Sequence, residues 1–249
     1  MSAWKRWLIV ALFAVAMAWV ESAVVVYLRT LLDRVQPYQP NPLPEFGELG
    51  PTELVRELAT LVMLFTVGWL AGQTPRSRFA YAMIAFGVWD IFYYLFLNWI
   101  CGWPTSLWNW DILFLLPLPW WGPVLAPVSI AALMIAGGTL VAQFDSANRP
   151  LWPGTTARAL GFGGAMLAWY VFMSDALAVA EGGVERIRNV LPAAFNWPLF
   201  LLALAMMASL IVDLGWRIWA QGGCSRTATG AMPKASSQFA AKANRAEER

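Results

Sequence analysis

The sequence contains no histidine among its 249 residues. Haem b is held by imidazole, many zinc sites use it, and Ser-His and Cys-His nucleophiles need it as a base. The absence therefore excludes haem b or zinc ligated by histidine, and it excludes both catalytic pairs within this chain. The sequence identifies no other cofactor, and it contains no motif that specifies an enzyme reaction.

Charged residues and cysteines are also scarce. Only 13% of the residues are charged, 59% are hydrophobic, and the net charge is +2. A soluble domain carries about 25% charged residues, so the composition leaves no room for a sizeable soluble domain or a nucleic-acid-binding surface. The two cysteines, Cys101 and Cys224, fall on opposite sides of the membrane in the topology below. A disulfide between them is therefore not expected.

Long apolar runs dominate the chain instead. A helix of about 20 apolar residues spans the roughly 30 Å hydrocarbon core of a bilayer. The pattern predicts an all-α integral membrane protein, with a six-helix transmembrane bundle in residues 1–220. Residues 221–249 are poor in apolar side chains and predict a disordered cytoplasmic tail. The predicted spans are residues 7–32, 53–72, 79–101, 121–144, 159–180 and 198–220.

The beginning of the first span has two interpretations. Lys5 and Arg6 precede an apolar run, and Ala16-Met17-Ala18 matches the small residues of a signal-peptide cleavage site. The apolar run continues well past this site, which favours a retained helix. Cleavage near residue 18 stays open, and the remaining topology does not depend on it.

Two segments are predicted not to span. Residues 33–51 contain five prolines, which excludes a helix interior, and Thr52 is the expected N-cap of the second span. Residues 102–119 are rich in Trp and Pro, as is typical of a segment at headgroup level. We expect a short interfacial or re-entrant helix over residues 110–116, acting either as a membrane anchor or as a lid.

The basic residues favour one orientation. Four arginines lie on one side of the predicted membrane, at positions 34, 56, 186 and 188. The other side carries Lys5, Arg6, Arg76, Arg78, Arg149, Arg158 and five cations of the tail. Because the side richer in Lys and Arg is cytoplasmic, both termini are predicted inside the cell. A seventh span over residues 103–121 would destroy this asymmetry.

Several ionisable residues lie within or close to the predicted spans. Such groups are costly in a bilayer and usually face the protein interior or water. A rise of about 1.5 Å per residue places the acids Glu21, Asp90 and Asp175 at or beyond the bilayer centre, towards the outside. The candidate ligand-binding residues of an outward-facing acidic pocket are Glu21, Arg29, Glu57, Asp90, Tyr94, Asn98 and Asp111. Asp90, Tyr94 and Asn98 recur every four residues and are expected on one helix face.

Three stretches of sequence carry a resemblance. They are the run Glu-Ser-Ala-Val-Val-Val-Tyr-Leu-Arg at 21–29, Arg-Glu-x-x-Thr at 56–60, and Trp-Asp-Ile at 89–91 and 110–112. Over roughly residues 15–135 the chain resembles a group of uncharacterised bacterial multi-pass membrane proteins. The resemblance implies a location in the bacterial inner membrane and implies that these polar residues form one set. It implies no activity.

Three functions from different classes fit these features. The first is a transporter-like protein whose outer pocket binds a cation or an amine-bearing, small amphipathic ligand. The second is a membrane enzyme that acts on a lipid-like substrate through carboxylates, alone or with a metal ion. The third is a subunit that packs against partner membrane proteins, in which the buried acids are bridged by other side chains. The lipid bilayer is a partner in all three.

Labelling of single cysteines tests the predicted topology. Cysteines placed at Glu45 and Gly183 should react with an impermeant thiol reagent in intact cells. Cysteines at Ser77 and Ala147 should react only after the cells are opened. Reaction from the opposite side at any of these positions would contradict the six-span map.

Overall fold

The computed structural model describes residues 1–33, 36–38, 49–113, 118–183, 186–187, 190–192 and 194–229, with only the backbone for Leu49 and residues 221–229. Its elements in chain order are α1 (Ala3–Leu31), α2 (Leu49–Ala71), α3 (Pro75–Cys101), β1 (Trp110–Ile112), β2 (Trp121–Pro123), α4 (Leu125–Phe144), α5 (Thr155–Val179) and α6 (Trp197–Thr229).

Six helices among the described residues are long and apolar enough to cross a membrane. The predicted all-α six-helix bundle is thereby confirmed, and none of the six helices includes the described residues between 102 and 119. The chain is a multi-pass membrane protein. By its internal contacts it divides into residues 1–214 and 215–249, so α6 continues from the first unit into the second.

Helix α3 is the central element of the first unit and packs against α1, α2 and α4. It begins with Pro75 after the N-cap Thr74, whose hydroxyl accepts from the Ser77 N–H at 3.0 Å. It ends at Gly102, which adopts a left-handed conformation with φ 70°. Ser77 is buried in the cap, so Ala147 is the more accessible of the two inner labelling positions.

Small residues allow the helices to approach closely. A Cβ on Gly87 of α3 would lie 2.6 Å from the Ala131 carbonyl oxygen of α4. A Cβ on Gly164 of α5 would lie 2.6 Å from the Ala203 carbonyl oxygen of α6. Both glycines therefore serve helix packing, as expected for small residues in membrane helices.

The segment after α3 forms a small β-hairpin rather than the predicted interfacial helix. β1 and β2 are antiparallel, and Asp111 lies opposite Gly122. Pro119, just before β2, lacks the backbone N–H that a helix interior needs, so a helix could not continue through it. The helix predicted over residues 110–116 is wrong for residues 110–112, and residues 114–117 lie outside the described part.

Other element boundaries differ by a few residues. α2 begins at Leu49, so Thr52 lies inside it, and Pro51 is tolerated in the first turn. α4 begins at Leu125 because residues 121–123 form β2. α6 continues to Thr229, and residues 230–249 lie outside the described part, so the disorder of the tail stays a prediction. Residues 34, 35 and 39–48 of the Pro-rich loop are also outside it.

A polar cluster joins the start of α3 to the end of α4. The buried Asp145 carboxylate accepts hydrogen bonds from Thr74 Oγ1 at 2.6 Å, Arg76 Nε at 2.7 Å and Leu151 N–H at 2.9 Å. Burial alone would raise the pKa of Asp145, but these hydrogen bonds hold it below its ordinary value. The ionised form is therefore the one that stabilises the fold.

Substitution of Asp145 tests this cluster. Because its folded pKa is lowered, its contribution is present above about pH 4 and is lost as the pH falls further. Asp145→Asn should lower the Tm in detergent at pH 7 by about 2–8 °C. The difference in Tm between Asp145→Asn and the wild type should become smaller below about pH 4. The exposed Glu181 provides the control Glu181→Gln, which should leave the Tm unchanged. A Tm difference that does not change with pH would contradict the role of the Asp145 charge in stabilising the fold.

Candidate functional site

A cavity of about 350 Å³ lies between α1, α2, α3 and the β-hairpin. α4 contributes Ile130 and Met134 to its wall, and α5 contributes Phe172. This volume is within the range of small-molecule sites in proteins. The cavity therefore has contributions from five helices and from the hairpin.

Six of the seven candidate residues line this one cavity: Glu21, Arg29, Glu57, Asp90, Tyr94 and Asp111. The seventh, Asn98, is exposed and donates from Nδ2 to the Pro104 carbonyl at 2.8 Å. Four residues turn an α-helix by about 400°, so the eight residues from Asp90 to Asn98 rotate the side chain by about 80° away from the Asp90 face. Asp175 does not line the cavity either.

Arg29 joins α1 to the hairpin across one end of the cavity. Its Nη2 donates to Asp111 Oδ1 at 3.0 Å, and its guanidinium carbon lies 4.5 Å from the centre of the Trp103 ring. Asp111 is only 1% exposed and also accepts from the Ile112 N–H at 2.9 Å. The pair thus fixes the position of β1 relative to α1.

Burial governs the ionisation of Asp111. It raises the pKa of this carboxyl above its ordinary value, and the charge of Arg29, the Ile112 N–H and the Tyr94 hydroxyl offset only part of the effect. These three contacts favour the ionised form of Asp111, and burial opposes it.

A second ion cluster joins α1 to α2. Arg56 donates to Glu21 and, through two nitrogens, to Glu53, with Nε 2.8 Å from Glu53 Oε2. Thr60 Oγ1 donates to the other Glu21 oxygen at 3.1 Å. Both oxygens of Glu21 are therefore paired, and this buried acid of α1 is explained by the packing of two helices.

Asp90 of α3 has no cationic partner among the described residues, whereas Glu21 and Asp111 each pair with an arginine. Its Oδ2 is buried and has no hydrogen-bonding partner among the described residues, although the side chain lines the cavity. The Trp89 Nε1–H, on the adjacent residue, is likewise buried without a partner. A buried carboxyl oxygen without a hydrogen-bonding partner is costly. Asp111 Oδ2, on another side chain that lines the cavity, is likewise buried without a partner among the described residues.

Acids outnumber bases around the cavity. The lining contains five carboxylates (Glu21, Glu53, Glu57, Asp90 and Asp111) and two guanidinium groups (Arg29 and Arg56). Within the described part of the chain, no three acidic or thiol side chains are grouped so that they could hold a metal ion. The arrangement suits a positively charged ligand better than an anion.

Comparison with models of protein families, with curated proteins and with solved structures finds no match to this chain. The resemblance to bacterial multi-pass membrane proteins therefore stays an expectation. The argument for function rests on the cavity itself.

Sequence analysis missed several residues of the site. Thr60 belongs to the Arg-Glu-x-x-Thr stretch of the resemblance but was not selected as a site residue. It follows Arg56 by one helical turn and donates to Glu21. Phe172 lines the cavity and Trp103 packs against the Arg29 guanidinium. Neither residue carries a sequence pattern that separates its role from that of an ordinary core residue. The pairing of Arg29 with Asp111 depends on the hairpin, which sequence analysis did not predict.

The Arg56 cluster gives a stability prediction with a compensating change. Arg56→Gln leaves Glu21 and Glu53 next to each other without a cation, so the Tm in detergent should fall clearly. Breaking a buried ion pair costs about 3–5 kcal/mol, and the partial exposure of Arg56 places the loss near the lower end. Adding Glu21→Gln removes the stranded charge and should restore part of the Tm.

The control is Arg158→Gln, because Arg158 is exposed and donates only to Thr155 in its own helix turn. This variant should unfold at the wild-type temperature. If the double variant were less stable than Arg56→Gln alone, the charge-pairing explanation would be wrong.

Proposed function

We propose that the protein binds a cationic, amine-bearing and partly apolar small molecule in this cavity, as a transporter-like protein of the bacterial inner membrane. The single observation that carries the proposal is Asp90. Its side chain lines the cavity and has no cation as a partner among the described residues, while Glu21 and Asp111, which are buried acids of the same cavity, each pair with an arginine.

The walls around Asp90 support a ligand with an apolar part. Trp89 stacks on Tyr93 with ring centres 6.0 Å apart, and Trp120 stacks on Phe172 at 6.3 Å. All four rings line the cavity. Aromatic faces attract ammonium groups and also bind hydrocarbon, so an amphipathic amine would satisfy both surfaces.

The same contacts also help to judge the two alternative functions, a packing subunit and a membrane enzyme. A packing subunit would need no cavity, and its buried acids would be bridged within the chain. Glu21 is bridged in that way, but Asp90 Oδ2 has no such bridge within the described part of the chain. A membrane enzyme would need a group that does chemistry on the substrate, and Asp90 alone offers an acid or base without a defined partner residue. Ligand binding therefore needs the fewest additional assumptions.

The distribution of charge supports an opening towards the outside. The cavity lies beside the end of α1 near Leu32 and the first turns of α2 near Glu53. In the topology predicted from the basic residues, both of these ends are outside the cytoplasm. A ligand would then enter from the periplasmic side, below the hairpin.

Binding of n-hexylamine tests the proposal. The amine should raise the Tm of the purified protein in a concentration-dependent manner, whereas n-hexanol, which lacks the charge, should not. In Asp90→Asn the dissociation constant for hexylamine should rise by about 10- to 100-fold, because a hydrogen bond to a charged group is lost. Isothermal titration calorimetry would measure both constants.

Asp175→Asn is the matched control, because Asp175 lies in a membrane-spanning helix but does not line the cavity. It should bind hexylamine as the wild type does. Equal binding by the wild type and Asp90→Asn, or no amine binding by the wild type, would overturn the proposal.

A further inference from the structure

The cavity also contains a buried donor that its protein neighbours do not satisfy. Nη1 of Arg29 is buried and has no hydrogen-bonding partner among the described residues, although the Arg29 side chain lines the cavity. The side chain as a whole is only 14% exposed. A buried N–H group without an acceptor is as costly as a buried oxygen without a donor.

The two terminal nitrogens of Arg29 therefore have different surroundings. Nη2 is committed to Asp111 at 3.0 Å, and the face of the guanidinium lies on Trp103. These contacts hold the group in place and leave Nη1, with its two N–H groups, without a described acceptor. Because a guanidinium is planar, its free N–H groups have a defined direction and are preorganised to bind one acceptor.

Charge balance indicates which kind of acceptor fits. The charge of Arg29 is already matched by Asp111, and acids exceed bases around the whole cavity. A second full anion beside Arg29 would be repelled by this excess, whereas a neutral oxygen would accept the hydrogen bond without that repulsion. The unpaired anion, Asp90, lies on a different helix from Arg29.

We infer that the ligand is an amine that also carries a neutral hydrogen-bond acceptor, such as a hydroxyl or a carbonyl oxygen. Its ammonium group binds Asp90, and its neutral oxygen accepts from Arg29 Nη1. This inference rests on the proposed function and narrows its ligand class. It distinguishes such molecules from simple alkylamines and from zwitterions with a carboxylate.

Three series of probes test the inference on the wild-type protein: ω-amino alcohols, n-alkylamines and ω-amino carboxylates, each with three to eight carbons. Probes of different lengths are needed because the best one must match the separation between the Asp90 carboxyl and Arg29 Nη1. At the best length, the amino alcohol should bind about 10-fold or more tightly than the alkylamine with the same number of heavy atoms. The amino carboxylate should bind more weakly than either.

Arg29→Lys is the informative variant. Lysine keeps a cation for Asp111 and for the Trp103 ring but lacks the second planar nitrogen. The affinity advantage of the amino alcohol over the alkylamine should fall to about twofold or less, and this ratio is the readout even where the affinity for both probes changes. Calorimetry with both probes measures this ratio, and the Tm verifies that the variant is folded.

The outcomes separate the two proposals. If alkylamines and amino alcohols bind the wild type equally well, the acceptor subsite is wrong and the cationic site stands. Tightest binding by the amino carboxylates would overturn the neutral acceptor in favour of a zwitterion. If no amine binds, the proposed function and this inference fail together.

Discussion

The cost of placing ionised groups inside an apolar bundle determines the organisation of this site. Two arginines meet this constraint, and each pairs across a boundary between elements. Arg56 of α2 holds Glu21 of α1, and Arg29 of α1 holds Asp111 of the hairpin. Because a buried charge without a partner costs several kcal/mol, these pairs define how α1, α2 and the hairpin meet. The cavity is the space that remains between them.

The hairpin is subject to the same cost of burying polar groups. Irregular backbone inside a membrane protein is tolerated only where protein or a cavity satisfies its polar groups. Here Asp111 and Trp121 are each 1% exposed, and Gly122 lies so close to the Phe172 ring that a Cβ would approach within 2.8 Å. The Arg29–Asp111 pair and this close packing hold the hairpin on the bundle. A longer side chain at position 122 would displace it.

Hydropathy was sufficient to predict the six helices, because the length of an apolar run directly reflects the thickness of the bilayer. Depth along each helix was also sufficient to select Glu21, Arg29 and Asp90 as neighbours, since the rise per residue is constant. The angular position of a side chain around its helix axis was less predictable from the sequence. Asn98 was assigned to the Asp90 face, but the drift of a 3.6-residue turn carries it away. Pairing between helices was unpredictable, because it depends on crossing geometry and on a two-strand hairpin whose short, aromatic sequence also fits a helix.

The distribution of partners among the buried polar atoms is more informative than their number. Glu21 is fully paired, Asp111 is paired through one oxygen, and Asp90 and Arg29 each keep one buried atom without a described partner. A purely structural network would pair its own members, as the Asp145 cluster does at the other end of α3. Asp90 and Arg29 carry opposite charges and line the same cavity, yet Arg29 pairs with Asp111 instead. This choice leaves an acceptor on Asp90 and a donor on Arg29 without described partners, on two side chains that line the same cavity. The proposed ligand, with a donor and an acceptor of its own, would complement this pattern.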